Sequence, residues 1–250
     1  MPLFQEFLRK VRKAETPFYA NIKRIVRAAS VFELPSGGPL RGAWSFFYHL
    51  WFLVPEFLRR LAVLLWRGPM FRSQCARVGK RLYIERIPWI SGHVRLILGD
   101  GVRISGKIDI LAGRVFEEPE IILGDGVFLG HGITLQVAQR IELEEGAALA
   151  GGCYVSDNDA HPIDAAARLR GEPPPPGEVL PVRIGRYAWV GRGSSVLKGV
   201  TIGEFAIVGV GSVVSTDVPP FSIAMGNPAR VVKRLPIPEG WRPDTGKPGI

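Results

Sequence analysis

A period of six governs the second half of this 250-residue chain. Ile184, Val190, Val196, Ile202, Val208 and Val214 are β-branched aliphatics at that spacing. Two residues before each stand Val182, Ala188, Ser194, Val200, Ala206 and Ser212, all small or medium-sized. The pattern runs earlier with interruptions, through Leu98 and Ile104, then Leu123, Leu129 and Leu135, then Leu143, Leu149 and Val155. A helix of 3.6 residues per turn would scatter such positions around its circumference, and a plain strand alternates every two. A short strand and a turn every six residues fits. The aliphatic and the small residue two before it then face inward. Gly and pairs such as Asp100-Gly101 and Asp125-Gly126 make the corners. Three units close a triangular coil of about 18 residues, and about fifteen units stack into about five coils around an aliphatic column. The predicted fold class is an all-β solenoid, a parallel β-helix over 91–218, followed by a closing segment and tail at 219–250. Its paired glycines are corners, since no nucleotide-binding fingerprint stands in a strand–turn–helix context.

Between Val155 and Ile184 the period fails, and a loop at 156–181 leaves the solenoid and returns. It contains Ser156-Asp157-Asn158-Asp159-Ala160-His161-Pro162-Ile163-Asp164, then Arg168, then four prolines at 173–176. Prolines in a row cannot pair as a central strand, and a loop inserted into a regular scaffold is a common place for function. The run His161-Pro162-Ile163-Asp164 with Arg168 is followed by Pro181-Val182-Arg183-Ile184-Gly185, by Trp189-Val190-Gly191 and by Gly226-Asn227-Pro228-Ala229-Arg230. Over roughly residues 120–235 this resembles the hexapeptide-repeat acyltransferases, in particular the sugar O-acetyltransferase branch of maltose, galactoside and nodulation acetyltransferases. The resemblance implies a left-handed β-helix, a homotrimer with active sites between subunits, acetyl-CoA as co-substrate and His161 as general base. The implied handedness departs from the usual right-handed crossover.

The chemistry agrees with that reading. Transfer from a thioester to an alcohol needs the hydroxyl deprotonated as it attacks, and an imidazole with pKa about 6.5 does this at neutral pH. Asp157, Asp159 and Asp164 are the candidates to orient the ring, with no choice among them. No nucleophile elbow or Cys–His pattern points to a covalent acyl-enzyme. Following the resemblance, CoA would lie along the C-terminal coils, with Trp189, Gly191, Ser195, Lys198, Ser212, Arg230 and Lys233 as candidate contacts. Trp189 and Ser195 precede an inward aliphatic and so face outward. Thr216-Asp217 stands where many relatives have Lys-Asp, which weakens a detailed phosphate assignment. His131, in a Gly-His-Gly corner, Asn158 and Arg168 are candidate acceptor contacts. Gly130 and Val137 occupy the places where the sugar acetyltransferases carry an Asn and an acidic residue, so the acceptor differs from their free sugar. Candidate acceptors are lipid-linked sugars and surface polysaccharides. The rival readings are an acyl-carrier-protein-dependent enzyme with a longer chain, and a non-catalytic scaffold. Four scattered His and two Cys offer no spaced metal motif, and the zinc-binding His set of the γ-class carbonic anhydrases, which share this fold, is missing. No metal is expected.

Charge divides the chain. The total of +9 conceals 16 Lys/Arg against 5 Asp/Glu in residues 1–90, and 16 against 18 in residues 91–250. Sixteen of the 24 aromatics also lie in 1–90. Residues 1–30 read as one basic amphipathic helix and Leu34–Pro39 as a break. Two apolar runs follow, Ala43–Val54 and Leu61–Trp66, separated by Pro55-Glu56 and by Arg59-Arg60. Neither reaches the roughly 20 residues that span a bilayer, so a helical hairpin in the interface of an anionic membrane is expected, or a cap on the β-helix. No recognition motif accompanies the charge, so nucleic acid is not an expected partner. No cleavable signal peptide is visible. The expected location is cytoplasmic, peripheral on the cytosolic face of the inner membrane.

Overall fold

The computed structural model describes residues 2–33, 37–38, 40–239 and 241. Leu34, Pro35, Ser36 and Pro39 of the expected break, and 242–250 of the expected tail, lie outside the described residues. The chain forms two compact units, Met1–Glu56 and Phe57–Ile250.

The second unit is a parallel β-helix. Its first sheet contains Arg77–Val78, Arg95–Leu98, Glu120–Leu123, Arg140–Leu143, Val182–Ile184 and Thr201–Ile202. The second runs from Tyr83–Ile84 through Arg103–Ile104, Phe128–Leu129, Ala148–Leu149 and Trp189–Val190 to Ile207–Val208, Ser222–Gly226 and Ala229–Arg234. The third contains Trp89–Ser91, Ile108–Ala112, Ile133–Val137, Tyr154–Ser156, Ser195–Val196 and Val213–Val214. Each coil contributes one strand to each sheet. The period of six becomes three inward columns: Leu98, Leu123, Leu143, Ile184 and Ile202 in the first sheet, Ile104, Leu129, Leu149, Val190 and Val208 in the second, and Ile110, Leu135, Val155, Val196 and Val214 in the third. All of these are buried.

The ladder brings successive backbones to about 4.8 Å. At Gly124 a Cβ would sit 2.7 Å from the Glu145 amide nitrogen, so that inward corner cannot carry a side chain. At the corner between the first and second sheets the residue is left-handed in every coil from Arg81 through Gly101, Gly126 and Gly146 to Tyr187, Phe205 and Phe221. The last three are bulky and strained there. Their rings stack, with centroids 5.2 and 5.0 Å apart, and Trp241 meets Phe221 edge-on at 4.7 Å.

Two corrections follow for the β-helix. The first coil begins at Arg77, inside the segment 1–90 expected to be helical, and there are six coils rather than about five. The first coil carries the same spacing, Val78, Ile84 and Ile90, paired with Leu98, Ile104 and Ile110, inside a stretch whose basic and aromatic composition masks it, and it is capped from the side. The helix α4 (Gly68–Ser73) inserts Phe71, 2% exposed, into the same core, and Arg72 Nη1 donates to the Gly79 carbonyl at 3.1 Å. At the other end the chain folds back as an antiparallel hairpin, Ser222–Gly226 with Ala229–Arg234.

The first unit is helical. Residues 1–30 form two helices rather than one, α1 (Pro2–Lys13) and α2 (Pro17–Ser30). Ala14 turns into the left-handed region. Thr16 then caps α2, accepting from the Tyr19 amide at 3.4 Å, with Pro17 at the first helical position. The two helices meet through Phe7 and Tyr19 and through Lys23 Nζ on the Arg12 carbonyl at 2.7 Å. The expected hairpin of two apolar runs is also corrected. A single helix, α3 (Leu40–Ala62), runs through Pro55, followed by a wide turn at Val63–Arg67. Proline removes one helical donor, but Glu56–Ala62 are mostly good helix formers and carry the helix on. No helix among the described residues is long and apolar enough to cross a membrane.

The inward columns carry the stability of the β-helix. Leu135→Ala leaves a hole between Ile110 and Val155 that neighbouring coils cannot close. It should cost about 2–5 kcal/mol, read as a lowered midpoint in equilibrium denaturation.

Candidate active site

The loop that interrupts the repeat is closed at its base. The Asp157 amide bonds the Gln136 carbonyl at 3.2 Å, the Leu180 amide bonds the Asp157 carbonyl at 2.9 Å, and the Gly199 amide bonds the Leu180 carbonyl at 2.9 Å. The chain therefore leaves after Ser156 and re-enters beside the same point, which returns Val182–Ile184 in register on Ile141–Leu143.

Asp157 is the plug of this junction. It is 0% exposed. One carboxylate oxygen accepts from the Ala138 amide and the other from the Gln139 and Arg140 amides, each at 2.7 Å. These donors line the turn of the coil below, so the carboxylate replaces the strand that would otherwise pair there. Asn158, also buried, extends the arrangement. Its Nδ2 donates to Asp157 at 2.8 Å, while its Oδ1 accepts from Gln136 Nε2 at 3.0 Å and from the Ala160 amide at 2.8 Å. Tyr154 Oη donates to Gln136 Oε1 at 3.0 Å. The result holds Ala160 at φ +64°, a left-handed residue directly before His161.

His161 is exposed. None of the three expected carboxylates accepts from its ring. Asp157 is spent on backbone amides. Asp164 caps the short helix α5 (Ala165–Leu169), accepting from the Ala167 amide at 2.7 Å. Asp159 pairs with Lys198 Nζ at 2.5 Å, tying the loop to a later coil. Asn158 is buried, its Oδ1 taken by two donors and its Nδ2 bonded to Asp157, and Arg168 donates to the Pro162 and Ile163 carbonyls, bracing the loop from within. His131 sits at the other end of the third sheet, 3.4 Å from Glu85. Its corner precedes Ile133–Val137, whereas the His161 loop follows Tyr154–Ser156. An open trough of about 740 Å³ runs along the glycine corner between the first and second sheets, and none of the candidate residues lines it.

Comparison with known proteins places this arrangement. The chain is 32% identical over 187 residues to a probable acetyltransferase of Mycobacterium tuberculosis, a match covering 74% of this chain and 58% of the relative. A second relative, from Saccharomyces cerevisiae, carries the same kind of provisional name. It is 32% identical over 117 residues, 46% of this chain and 56% of the relative. The chain thus spans less than three fifths of the curated relatives it matches. No protein-family profile matches it. Among solved structures, AntD, an N-acyltransferase from Bacillus cereus in complex with dTDP and 3-hydroxybutyryl-CoA, aligns with 68% of this chain and 88% of its own, at 18% identity and a TM-score of 0.53. That likeness carries the fold. The chain has a parallel β-helix fold built on a six-residue repeat.

On this β-helix the expected CoA contacts divide into two groups. Trp189, 52% exposed, faces outward from the second sheet and Ser195 outward from the third. Arg230 and Lys233 are exposed on the closing hairpin. These four are a ring, a hydroxyl and two cations, with Trp189, Arg230 and Lys233 on the second sheet and Ser195 on the third. The other three have tasks inside the protein. A Cβ on Gly191 would lie 2.6 Å from the Val208 carbonyl, so its glycine serves coil packing. Ser212, 0% exposed, donates to the Gly209 carbonyl at 2.7 Å and accepts from the Gly226 amide at 3.1 Å. Lys198 is the strut on Asp159. No group of three or more His, Cys, Asp or Glu among the described residues could hold a metal ion. Burial pushes the Cys75 thiol up to about 11 and raises Cys153 as well, so neither supplies a thiolate nucleophile at neutral pH.

Sequence reasoning missed Gln136 and Tyr154. The signal was available: residues beside the inward Leu135 and Val155 face outward by the period of two, and a glutamine and a tyrosine there sit on the coils flanking the loop. The assigned tasks separate two carboxylates that look alike in sequence. Asp157→Ala orphans three amides and should lower stability by about 3 kcal/mol or more, whereas Asp164→Ala loses one helix cap, about 1 kcal/mol. Chemical denaturation of both variants checks the difference.

Proposed function

We propose that the chain is a CoA-dependent O-acetyltransferase that moves an acetyl group to a sugar hydroxyl, with His161 as general base. The observation that carries this is the exposed His161, presented on a loop whose base, bend and flank are each pinned by buried or paired side chains. Nothing in the packing of the loop needs an imidazole at that position. The names of the relatives support the acyl-transfer class, and the loop motif supports the sugar branch.

The reaction this arrangement supports is direct. His161 takes the proton of the acceptor hydroxyl as the oxygen attacks the thioester carbonyl. The C–O bond forms, the C–S bond breaks through a tetrahedral intermediate, and the imidazolium returns the proton to the departing CoA thiolate. The ordered backbone around Ala160 reduces the freedom of the ring before substrate arrives. Trp189, Ser195, Arg230 and Lys233 would hold the CoA, which supplies the activated acetyl group. The altered residues at Gly130 and Val137 favour an acceptor other than a free galactoside or maltose, such as a lipid-linked sugar or a surface polysaccharide. The assembly proposed is a homotrimer.

His161→Ala should lose about 10²–10⁴-fold in acetyl transfer, with its unfolding midpoint unchanged. The measurement is thiol release from acetyl-CoA over a panel of free and lipid-linked sugars, with mass spectrometry of the product. Undiminished transfer by the folded variant would refute the role of His161. A product carrying a longer chain from an acyl carrier protein, or no turnover by the intact protein, would refute the acetyl-CoA reading.

A further inference from the structure

The first unit has no core. Among its described residues not one is buried, although it holds Phe4, Phe7, Phe18, Trp44, Phe46, Phe47, Trp51 and Phe52. Ordering a segment of this length costs backbone and side-chain entropy that only buried apolar surface can offset. Whatever covers this surface is therefore outside the unit, and α3 says what it is.

Set at 100° per residue, α3 is apolar over about two thirds of its circumference. Its charged and polar residues Arg41, Ser45, His49, Glu56, Arg59 and Arg60 gather in one stripe within about 100° of arc, with Phe52 the apolar residue among them. Facing directly away from the stripe are Phe47, Leu50, Trp51, Val54, Leu58 and Leu61, all exposed. Tyr48 and Trp44 lie on the shoulder between the two. A single neighbouring helix covers a strip far narrower than this apolar arc. A helix lying in a bilayer interface is wetted on just such an arc, with its polar stripe level with the headgroups. The apolar stretch Gly42–Leu58 is about 25 Å long, shorter than the roughly 30 Å hydrocarbon thickness, which agrees with lying in a leaflet rather than crossing. The charge matches an anionic surface. Arg9, Lys10, Arg12 and Lys13 in α1, Lys23, Arg24 and Arg27 in α2, and Arg41 in α3 stand in the same unit, against Glu6, Glu15, Glu33 and Glu56.

We propose that α3 lies immersed in one leaflet of an anionic membrane, parallel to its plane, with the Phe47–Trp51–Val54–Leu58 row deepest and the Arg41–Ser45–His49–Glu56–Arg60 stripe at the headgroups. This stands on the amino-terminal helices and does not depend on the acyltransferase reading.

The test uses the full chain with vesicles of phosphatidylcholine, alone or mixed with phosphatidylglycerol. The protein should float with the mixed vesicles. Its tryptophan fluorescence should be quenched by lipid brominated in the acyl chain, and Trp51→Phe should remove much of that quenching. Two variants add the same charge on opposite faces. Phe47→Glu should weaken vesicle binding tenfold or more, and Ser45→Glu should leave the acyl-chain quenching intact. Thermal unfolding of the β-helix reports that both remain folded. Equal effects of the two variants, flotation without acyl-chain quenching, or no flotation would each overturn the proposal. So would a lipid-free oligomer in which Trp51 is shielded from an aqueous quencher, which would mark a protein partner instead. Thiol release from acetyl-CoA with a soluble acceptor, measured on the same variants, keeps the two readings apart. Activity with no membrane binding overturns only this one.

Discussion

The parallel ladder between successive coils is the constraint on which the second unit depends. Each backbone group of one coil is satisfied by the next, so strand length, corner shape and inward side chain must repeat. At Gly124 the approach of the Glu145 amide forbids a Cβ. At Ser194 and Ser212 small hydroxyls are tolerated inside only because both donate to the Gly209 carbonyl. Any departure from the repeat must give back the hydrogen bonds it takes away.

Seen against that requirement, the loop is a local solution before it is an active site. Leaving after Ser156 exposes the amides of Ala138, Gln139 and Arg140 on the coil below. A carboxylate meets all three, which explains why Asp157 is buried and why its charge is tolerated there: a carboxylate accepting several backbone N–H groups is well solvated by the protein. The same junction fixes Asn158, and through it the bend at Ala160. The residue at the tip is thereby positioned by the device that repairs the ladder.

The period of six was enough to read the sheets, their registers and the inward columns, because those follow from alternation and close packing alone. It also placed Trp189 and Ser195 on the outside. What it could not read were partners distant in sequence. Asp157, Asp159 and Asp164 are equivalent as letters near a histidine, but one plugs amides nearly twenty positions back, one meets Lys198, and one caps the next five residues. The first coil was legible at Val78, Ile84 and Ile90, but the basic and aromatic composition around them masks the spacing, and Phe71, from a helix, joins their core. In the amino-terminal part, propensity signals were present at Thr16-Pro17 and overridden at Pro55, which is why one expected helix became two and two expected runs became one.

The two units solve the burial problem in opposite ways. The β-helix generates its own interior coil by coil, and its stability grows with the number of coils stacked. The amino-terminal helices have apolar surface in excess and no interior, and the proposed membrane would wet aromatic and aliphatic side chains on a wide arc while accepting a row of cations. An anionic bilayer has both properties at once. A soluble partner would need to supply a concave apolar surface edged with acid, and would compete for the same row of α3. If the acceptor is itself anchored in a leaflet, confinement to that surface raises its local concentration around the protein without any new contact to the sugar. That gain would appear as a lower apparent KM for lipid-linked acceptors than for soluble ones carrying the same sugar, with the chemical step at His161 unchanged.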